Sequence, residues 1–214
     1  MLQTQTVKEE TFGLLKTLMH DEKLSQFCLV GGTALALYMG HRKSIDIDLF
    51  SQQPFDAVKM RDYLTQTYDF QIDRLSDVTL IGNINYIKVD CIAYNYPLVE
   101  PVHEYDGMRI YSISDIAAMK LTAISQSGKR LKDFVDVAFL STRMSLEDML
   151  KAFEKKYPKT SVMSAVRGIT YHNDIDFSGT IDLIDGKFKW KTVEKRLIEM
   201  VKHSNKIFPE MAFR

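Results

Sequence analysis

The stretch SIDIDLF at residues 44–50 sets two aspartates on alternate positions of an otherwise apolar strand pattern. Aspartate is depleted in strands because its short polar side chain competes for backbone hydrogen bonds. A chain that carries two of them in one strand must compensate with a fold that gives the carboxylates something to do. Side chains alternate across a strand, so Ser44, Asp46, Asp48 and Phe50 are expected on one face and Ile45, Ile47 and Leu49 on the core face. The two carboxylates then lie side by side, with Cα atoms about 6–7 Å apart. At about 4 Å between their oxygens they repel by roughly 4 kcal/mol at an effective dielectric of 20, and a divalent cation turns that repulsion into attraction. Hard oxygen ligands suit Mg²⁺ or Mn²⁺. The other reading of the same residues is a solvent-facing edge strand that carries acids to prevent edge-to-edge association.

The surrounding sequence bears on that choice. Upstream, the apolar run QFCLV ends in Gly31-Gly32-Thr33, and TALALYMG follows as a short helix closed by Gly40. A glycine turn into a helix start offers backbone N–H groups and the positive end of the helix dipole to a phosphate, with no side chain in the way. Downstream, NYIKVDCIAY alternates again, placing Ile87, Val89 and Cys91 on one face and Lys88, Asp90 and Ile92 on the other. A third carboxylate in a strand close to the first is what a two-metal site requires, since one carboxylate bridges the ions and others hold each from outside.

The rest of the chain frames these motifs. MLQTQTVKEETFGLLKTLMHDEK reads as an amphipathic helix, and PFDAVKMRDYLTQTY as a second that starts at Pro54. FQIDRLS, VTLIGNI and NYIKVDCIAY read as a meander of antiparallel strands. From Tyr111 onward the pattern is helical: SISDIAAMKLTAIS, KRLKDFVDVAFLS, SLEDMLKAFEKKY and TVEKRLIEMVKHSNKIF. The expected fold class is α+β, a mixed and mainly antiparallel sheet flanked by helices over residues 1–110, followed by a helical C-terminal lobe over 111–214 that completes a cleft. The formal net charge is zero, but residues 1–110 hold 10 Lys and Arg against 15 Asp and Glu, whereas the remainder holds 18 against 13. A basic second half suits a polyanion or is an ordinary solvated helix face, and charge alone does not decide between them.

At these residues the chain resembles the polymerase-beta-like nucleotidyltransferases, and most closely their AbiEii-like branch, which contains toxins of type IV toxin–antitoxin systems. The resemblance is carried by Gly31, Gly32 and Thr33, 12 intervening residues and Asp46-x-Asp48, by Gly40-His41-Arg42-x-Ser44, by Asp90, by Asp115-x4-Lys120, and by Lys132-Asp133-x-x-Asp136. It covers roughly residues 15–140. It implies two Mg²⁺ ions on Asp46, Asp48 and Asp90, an NTP substrate whose triphosphate sits at Gly31, Gly32 and Thr33, and transfer of the NMP to an acceptor hydroxyl. That acceptor is an RNA or tRNA end or a protein side chain, in a bacterial toxin-like or phage-defence setting with a cognate antitoxin as partner. Small-molecule transfer of the aminoglycoside-modifying kind, and a non-catalytic nucleotide- or partner-binding protein of the same fold, are the alternatives.

The implied roles meet plainer readings residue by residue. Many relatives carry serine where Gly32 stands, so a hydroxyl contact to phosphate is assigned to Thr33. Asp90 is also a candidate base. Lys120, one turn into a helix opened by a Ser112-x-x-Asp115 capping box, points at phosphates or ribose, or else snorkels on the surface beside Ala117, Met119 and Ala123. Arg42, with Lys43 and Ser44, leads into the Asp-x-Asp strand and neutralises triphosphate charge, or is simply solvated. Lys129, Arg130 and Lys132 are a second phosphate or RNA contact, with Asp133 and Asp136 their structural partners, and Asp136 reads as a buried helix-to-helix hydrogen-bonding group. The aromatic residues of YNYP and HEYDGMRIY are expected to pack between lobes more than to stack on a base. Cys28 and Cys91 read as buried reduced thiols, and the five histidines lack zinc spacing. No apolar run approaches the roughly 18 residues of a membrane span, and no signal-peptide pattern opens the chain, so a cytoplasmic protein without a membrane partner is expected.

Overall fold

The computed structural model describes residues 1–211. The chain runs α1 (Glu9–His20), β1 (Cys28–Val30), α2 (Gly31–Met39), β2 (Ile47–Ser51), α3 (Ala57–Tyr68), β3 (Gln71–Ser76), β4 (Thr79–Ile84), β5 (Ile87–Ala93), β6 (His103–Tyr105) and β7 (Met108–Ile110). The helices α4 (Ile113–Gln126), α5 (Leu131–Leu140), α6 (Leu146–Lys156), α7 (Val162–Thr170) and α8 (Trp190–Lys202) follow. The class is α+β, with one seven-stranded sheet in the order β3-β4-β5-β2-β1-β7-β6. β3, β4 and β5 form the antiparallel meander the alternation predicts, whereas β5 returns parallel to β2 and β7 runs parallel to β1.

The alternation that reads as a strand is the one that positions the acids. In β2, Ile47 and Leu49 are buried, while Asp48 and Phe50 on the opposite face are only partly so. In β5, Val89 and Cys91 are buried on the core face, and Asp90 between them is buried as well, with Lys88 and Ile92 on its face more open. The register pairs Asp48 with Asp90 and Phe50 with Ile92, so two acids stand shoulder to shoulder and an apolar pair follows them. Ile45 departs from the expected core face and is 52% exposed. The regular strand begins only at Ile47, because Ser44 is taken up in a bridge to Val7 and the alternation has no meaning before the ladder starts.

Helix α4 opens on Ser112, whose side chain accepts from the Asp115 N–H at 3.0 Å, as the capping box predicts. Asp56 caps α3 in the same way. One hydrophobic cluster runs through the sheet and the helices, from Leu15, Leu29 and Leu49 to Ile116, Phe134 and Phe153. The segment at 182–184 lies along the loop before β2: the Lys43 N–H donates to the Asp182 carbonyl at 2.7 Å and the Ile184 N–H to the His41 carbonyl at 3.1 Å. Both cysteines are buried and free, as expected. No helix among the described residues is long and apolar enough to cross a membrane.

Candidate active site

A cleft of about 280 Å³ lies between the sheet and α4. Gly31, Gly32, Asp48, Asp90 and Lys120 line one end, and Phe50, Ile92, Tyr94 and Thr122 lie further along it. The turn from β1 into α2 explains both glycines. Gly31 has φ +71°, and a Cβ there would come within 2.3 Å of Asp48 Oδ2; a Cβ on Gly32 would meet Arg42 Nη2 at 2.6 Å. Val30, the residue that caps α2, contributes no side-chain acceptor. The first-turn amides and the positive dipole end are therefore presented at the carboxylate end of the cleft.

The acids feel one another. Burial, and then the charge of Asp90, push Asp48 up to about 6, with Lys120 opposing the shift. Asp90 Oδ2 accepts from Lys88 Nζ at 2.8 Å, whereas its Oδ1 is buried and accepts no hydrogen bond from the protein. A buried carboxylate oxygen without a donor is costly unless something positive meets it. Asp46 does not complete the expected trio: it precedes the first residue of β2 and does not line the cleft, though its charge still raises Asp48. Among the described residues, no three His, Cys, Asp or Glu side chains form a group able to hold a metal ion. Of the three carboxylates that line the cleft, Asp133 is taken by Lys120, and the pair Asp48 and Asp90 fits Mg²⁺ when substrate phosphates fill the rest of its shell, since that ion is commonly held by one or two carboxylates plus phosphates.

Lys120 is no snorkelling surface residue. It is buried, and its Nζ donates to Asp133 Oδ1 at 2.7 Å and lies 2.8 Å from Asp136 Oδ2. Burial favours the neutral amine, but Asp133 and Asp136 outweigh it and raise the pKa above the usual lysine value. Asp136, fully buried, collects a second cation and an imidazole: Arg42 Nε donates to its Oδ1 at 2.7 Å, Arg42 Nη2 to Oδ2 at 2.9 Å, and His41 Nε2 lies 2.9 Å from Oδ1. Burial opposes ionisation, yet Arg42 and Lys120 hold Asp136 well below the carboxylate range. Burial pulls His41 down despite that carboxylate, so the ring is neutral and Nε2 carries the proton it shares with Asp136. Asp136 thus ties the loop before β2 to α4 and α5.

Three expected contacts are corrected by this geometry. Arg42 is 2% exposed, does not line the cleft, and spends its fork on Asp136, so it supports the floor behind Gly32 instead of reaching a triphosphate. The Thr33 hydroxyl turns inward: it donates to the Asp46 carbonyl and lies 2.9 Å from Ser44 Oγ. Thr33 and Ser44, both buried, therefore pin the approach to β2, and backbone N–H groups are the donors that the turn presents to the cleft.

Other members were not singled out by sequence. Lys156 is fully buried and donates to Asp115 Oδ1 at 2.7 Å, beneath the rings of Tyr94 and Tyr111. Asp115 also accepts the Val99 and Glu100 N–H groups, so the Asp of the Asp-x4-Lys motif is a structural hub. Phe50 and Thr122 join the cleft through strand register and helix phase, signals that spacing alone does not mark as functional.

The model of the nucleotidyl transferase AbiEii toxin family, type IV toxin–antitoxin system, matches residues 13–168. The protein aq_aa25 of Aquifex aeolicus (strain VF5) is 37% identical over 164 residues, covering 70% of this chain and 75% of that one. Among solved structures, the MenT4 nucleotidyltransferase toxin Rv2826c of Mycobacterium tuberculosis H37Rv is similar with a TM-score of 0.59 and 14% identity over 91% of this chain and 84% of that one. JHP933 of Helicobacter pylori is similar with a TM-score of 0.54 and 18% identity over 93% of both chains. With more than half of its length matched by the family model, and with the glycine turn, the paired acids and the buried lysine in one cleft, this chain belongs to the AbiEii nucleotidyltransferase toxin family.

Proposed function

We propose that the protein is a metal-dependent nucleotidyltransferase that moves a nucleoside monophosphate from an NTP to an acceptor hydroxyl, with an RNA or tRNA end as the favoured acceptor and a cognate antitoxin as its restraining partner. The observation that carries the reading is the in-register pair Asp48 and Asp90, set against Gly31 with no room for a Cβ and with one buried Asp90 oxygen unpartnered.

Asp48 and Asp90 would hold the ion, with Asp46 at the rim adding negative charge. Bound there, Mg²⁺ supplies charge neutralisation for the triphosphate and its leaving group. The N–H groups at the start of α2 bind the phosphates. Lys120 brings positive charge to the same end, held in place by Asp133 and Asp136. The acceptor oxygen forms a bond to the α-phosphorus, the bond from that phosphorus to the bridging oxygen breaks, and pyrophosphate leaves with the electron pair. Asp90 is the group placed to take the hydroxyl proton.

The test is incubation with α-labelled NTPs, Mg²⁺ and total bacterial RNA. A discrete labelled RNA band is expected, lost on EDTA treatment and in Asp48→Asn. Label on an aminoglycoside with RNA blank assigns the chemistry to a small molecule, label on protein assigns it to a side chain, and full activity of Asp48→Asn removes the metal assignment.

A further inference from the structure

The cleft changes character along its length, and its far end has no part in the phosphate chemistry. Two residues beyond Asp48 and Asp90 stand Phe50 and Ile92, paired in register. Two more bring Tyr94, whose N–H donates to the Ser51 carbonyl at 2.7 Å and so continues the same face. At about 3.3 Å per residue, the aromatic face begins about 7 Å from the carboxylates and ends about 13 Å away. The Phe50 and Tyr94 ring centroids are 5.0 Å apart with planes tilted 45°, and both rings line the cleft.

Tyr94 is held with unusual care for a cleft wall. Its hydroxyl lies 2.6 Å from that of Tyr157, Tyr96 packs on it at 4.7 Å, and the Lys156 ammonium lies 5.9 Å from its ring centroid. With its hydroxyl engaged by Tyr157, Tyr94 offers a ring and no polar tip. Thr122, across on α4, lines the same cleft and is 9% exposed; its hydroxyl makes no hydrogen bond of good geometry and interacts only with the Tyr157 hydroxyl that Tyr94 already engages. A hydroxyl held only by that shared contact keeps hydrogen-bonding capacity for a polar group that reaches it.

We propose that this end is the nucleobase subsite: Phe50 and Tyr94 take the base by its face, and the Thr122 hydroxyl meets its polar edge. This rests on the nucleotidyltransferase reading above. Every base has a stacking face, so the platform accepts all four and Thr122 alone sets the residual preference. Tyr157 and Lys156 are positioning residues that act through Tyr94.

The experiment measures binding of the four NTPs and of inorganic tripolyphosphate, each with Mg²⁺, to the full chain and to Tyr94→Phe, Tyr94→Ala and Thr122→Val. Wild type should bind NTPs more tightly than tripolyphosphate. Tyr94→Ala should weaken every NTP by about tenfold to a hundredfold while tripolyphosphate binding stays at the wild-type value. Tyr94→Phe should bind like wild type, and Thr122→Val should change the order of the four NTPs. The proposal is overturned if Tyr94→Ala binds NTPs as wild type does, if it loses tripolyphosphate in the same proportion, or if Thr122→Val keeps the wild-type order. A wild-type protein that binds tripolyphosphate no less tightly than NTPs removes the base subsite and leaves the phosphate site standing, whereas one that binds neither removes both.

Discussion

Replacing Asp136 with alanine tests whether the buried charge cluster is what holds the site together. The carboxylate is fully buried and serves Arg42, Lys120 and His41 at once. Its removal leaves the Arg42 guanidinium 2% exposed with no anion in contact, and Lys120 with Asp133 alone. Breaking a buried ion pair from one side typically costs about 3–5 kcal/mol, because an uncompensated charge stays behind. At about 2–4 °C per kcal/mol for a chain of this size, the melting temperature should fall by about 6–20 °C. The control is Glu147→Ala, which deletes a pair of equal length, 2.7 Å to Lys151, in which the two side chains are 48% and 66% exposed. Water screens that pair, so its loss should move the melting temperature by no more than about 1 °C. Scanning calorimetry on both variants, with Asp136→Asn as a milder third, measures the difference. If Asp136→Ala melts within about 2 °C of wild type, the cluster does not carry the stability assigned to it, and its role as the anchor of the glycine turn fails too.

Three further outcomes follow from the same geometry. Burial and Asp90 lift Asp48 from 3.8 to about 6, so between those values the folded chain holds a proton that the unfolded chain releases, and metal-free stability falls as pH rises through that window. Asp48→Asn, which cannot ionise, should therefore be more stable than wild type at pH 8, by up to about 3 kcal/mol, with the advantage gone at pH 4; equal melting at both pH values refutes the shift. Gly31→Ala forces a Cβ to within 2.3 Å of Asp48 Oδ2 at a positive φ, so NMP transfer should drop at least about a hundredfold along with melting temperature, as labelled-NTP assays and calorimetry will read. Lys156→Met strips Asp115 of its buried cation and should lower melting far more than Lys155→Met, whose exposed ammonium reaches only the Val99 carbonyl.

How much of this was legible in the sequence depended on the range of the interaction. Alternation fixed the faces of β2 and β5, because strand periodicity is local, and the capping box at Ser112 was readable for the same reason. The Asp48 and Asp90 pairing was expected from the two strands, but the parallel register that sets them side by side is tertiary. Asp46 illustrates the limit: period-two alternation placed it beside Asp48, yet the ladder begins one residue later. Arg42 illustrates another, since a loop arginine looks solvated until a carboxylate 94 residues away arrives beneath it. Nothing local pairs Lys156 with Asp115 across 41 residues. Helix α7 was missed because its nine residues are too short for a clear period and include Gly168.

These misreadings share a cause that bears on how the site works. Asp48, Asp90, the glycine turn and Lys120 were legible as neighbours because they sit on strands, a turn and a helix whose frames leave local marks. The buried partners were missed because a desolvated charge is stable only where another part of the chain meets it, and sequence distance hides that meeting. Asp136 connects the two classes: it holds Arg42 behind Gly32 and shares Lys120 with Asp133, so the glycine end of the cleft stands on a charge cluster whose centre, Asp136, does not line the cleft. A cleft built this way should lose activity through its supports as well as its ligands. Asp136→Asn is the discriminating variant, because it keeps the shape and removes the charge. It should reduce transfer at saturating NTP while the protein remains folded by circular dichroism. Unchanged turnover would mean that the cluster serves the fold alone.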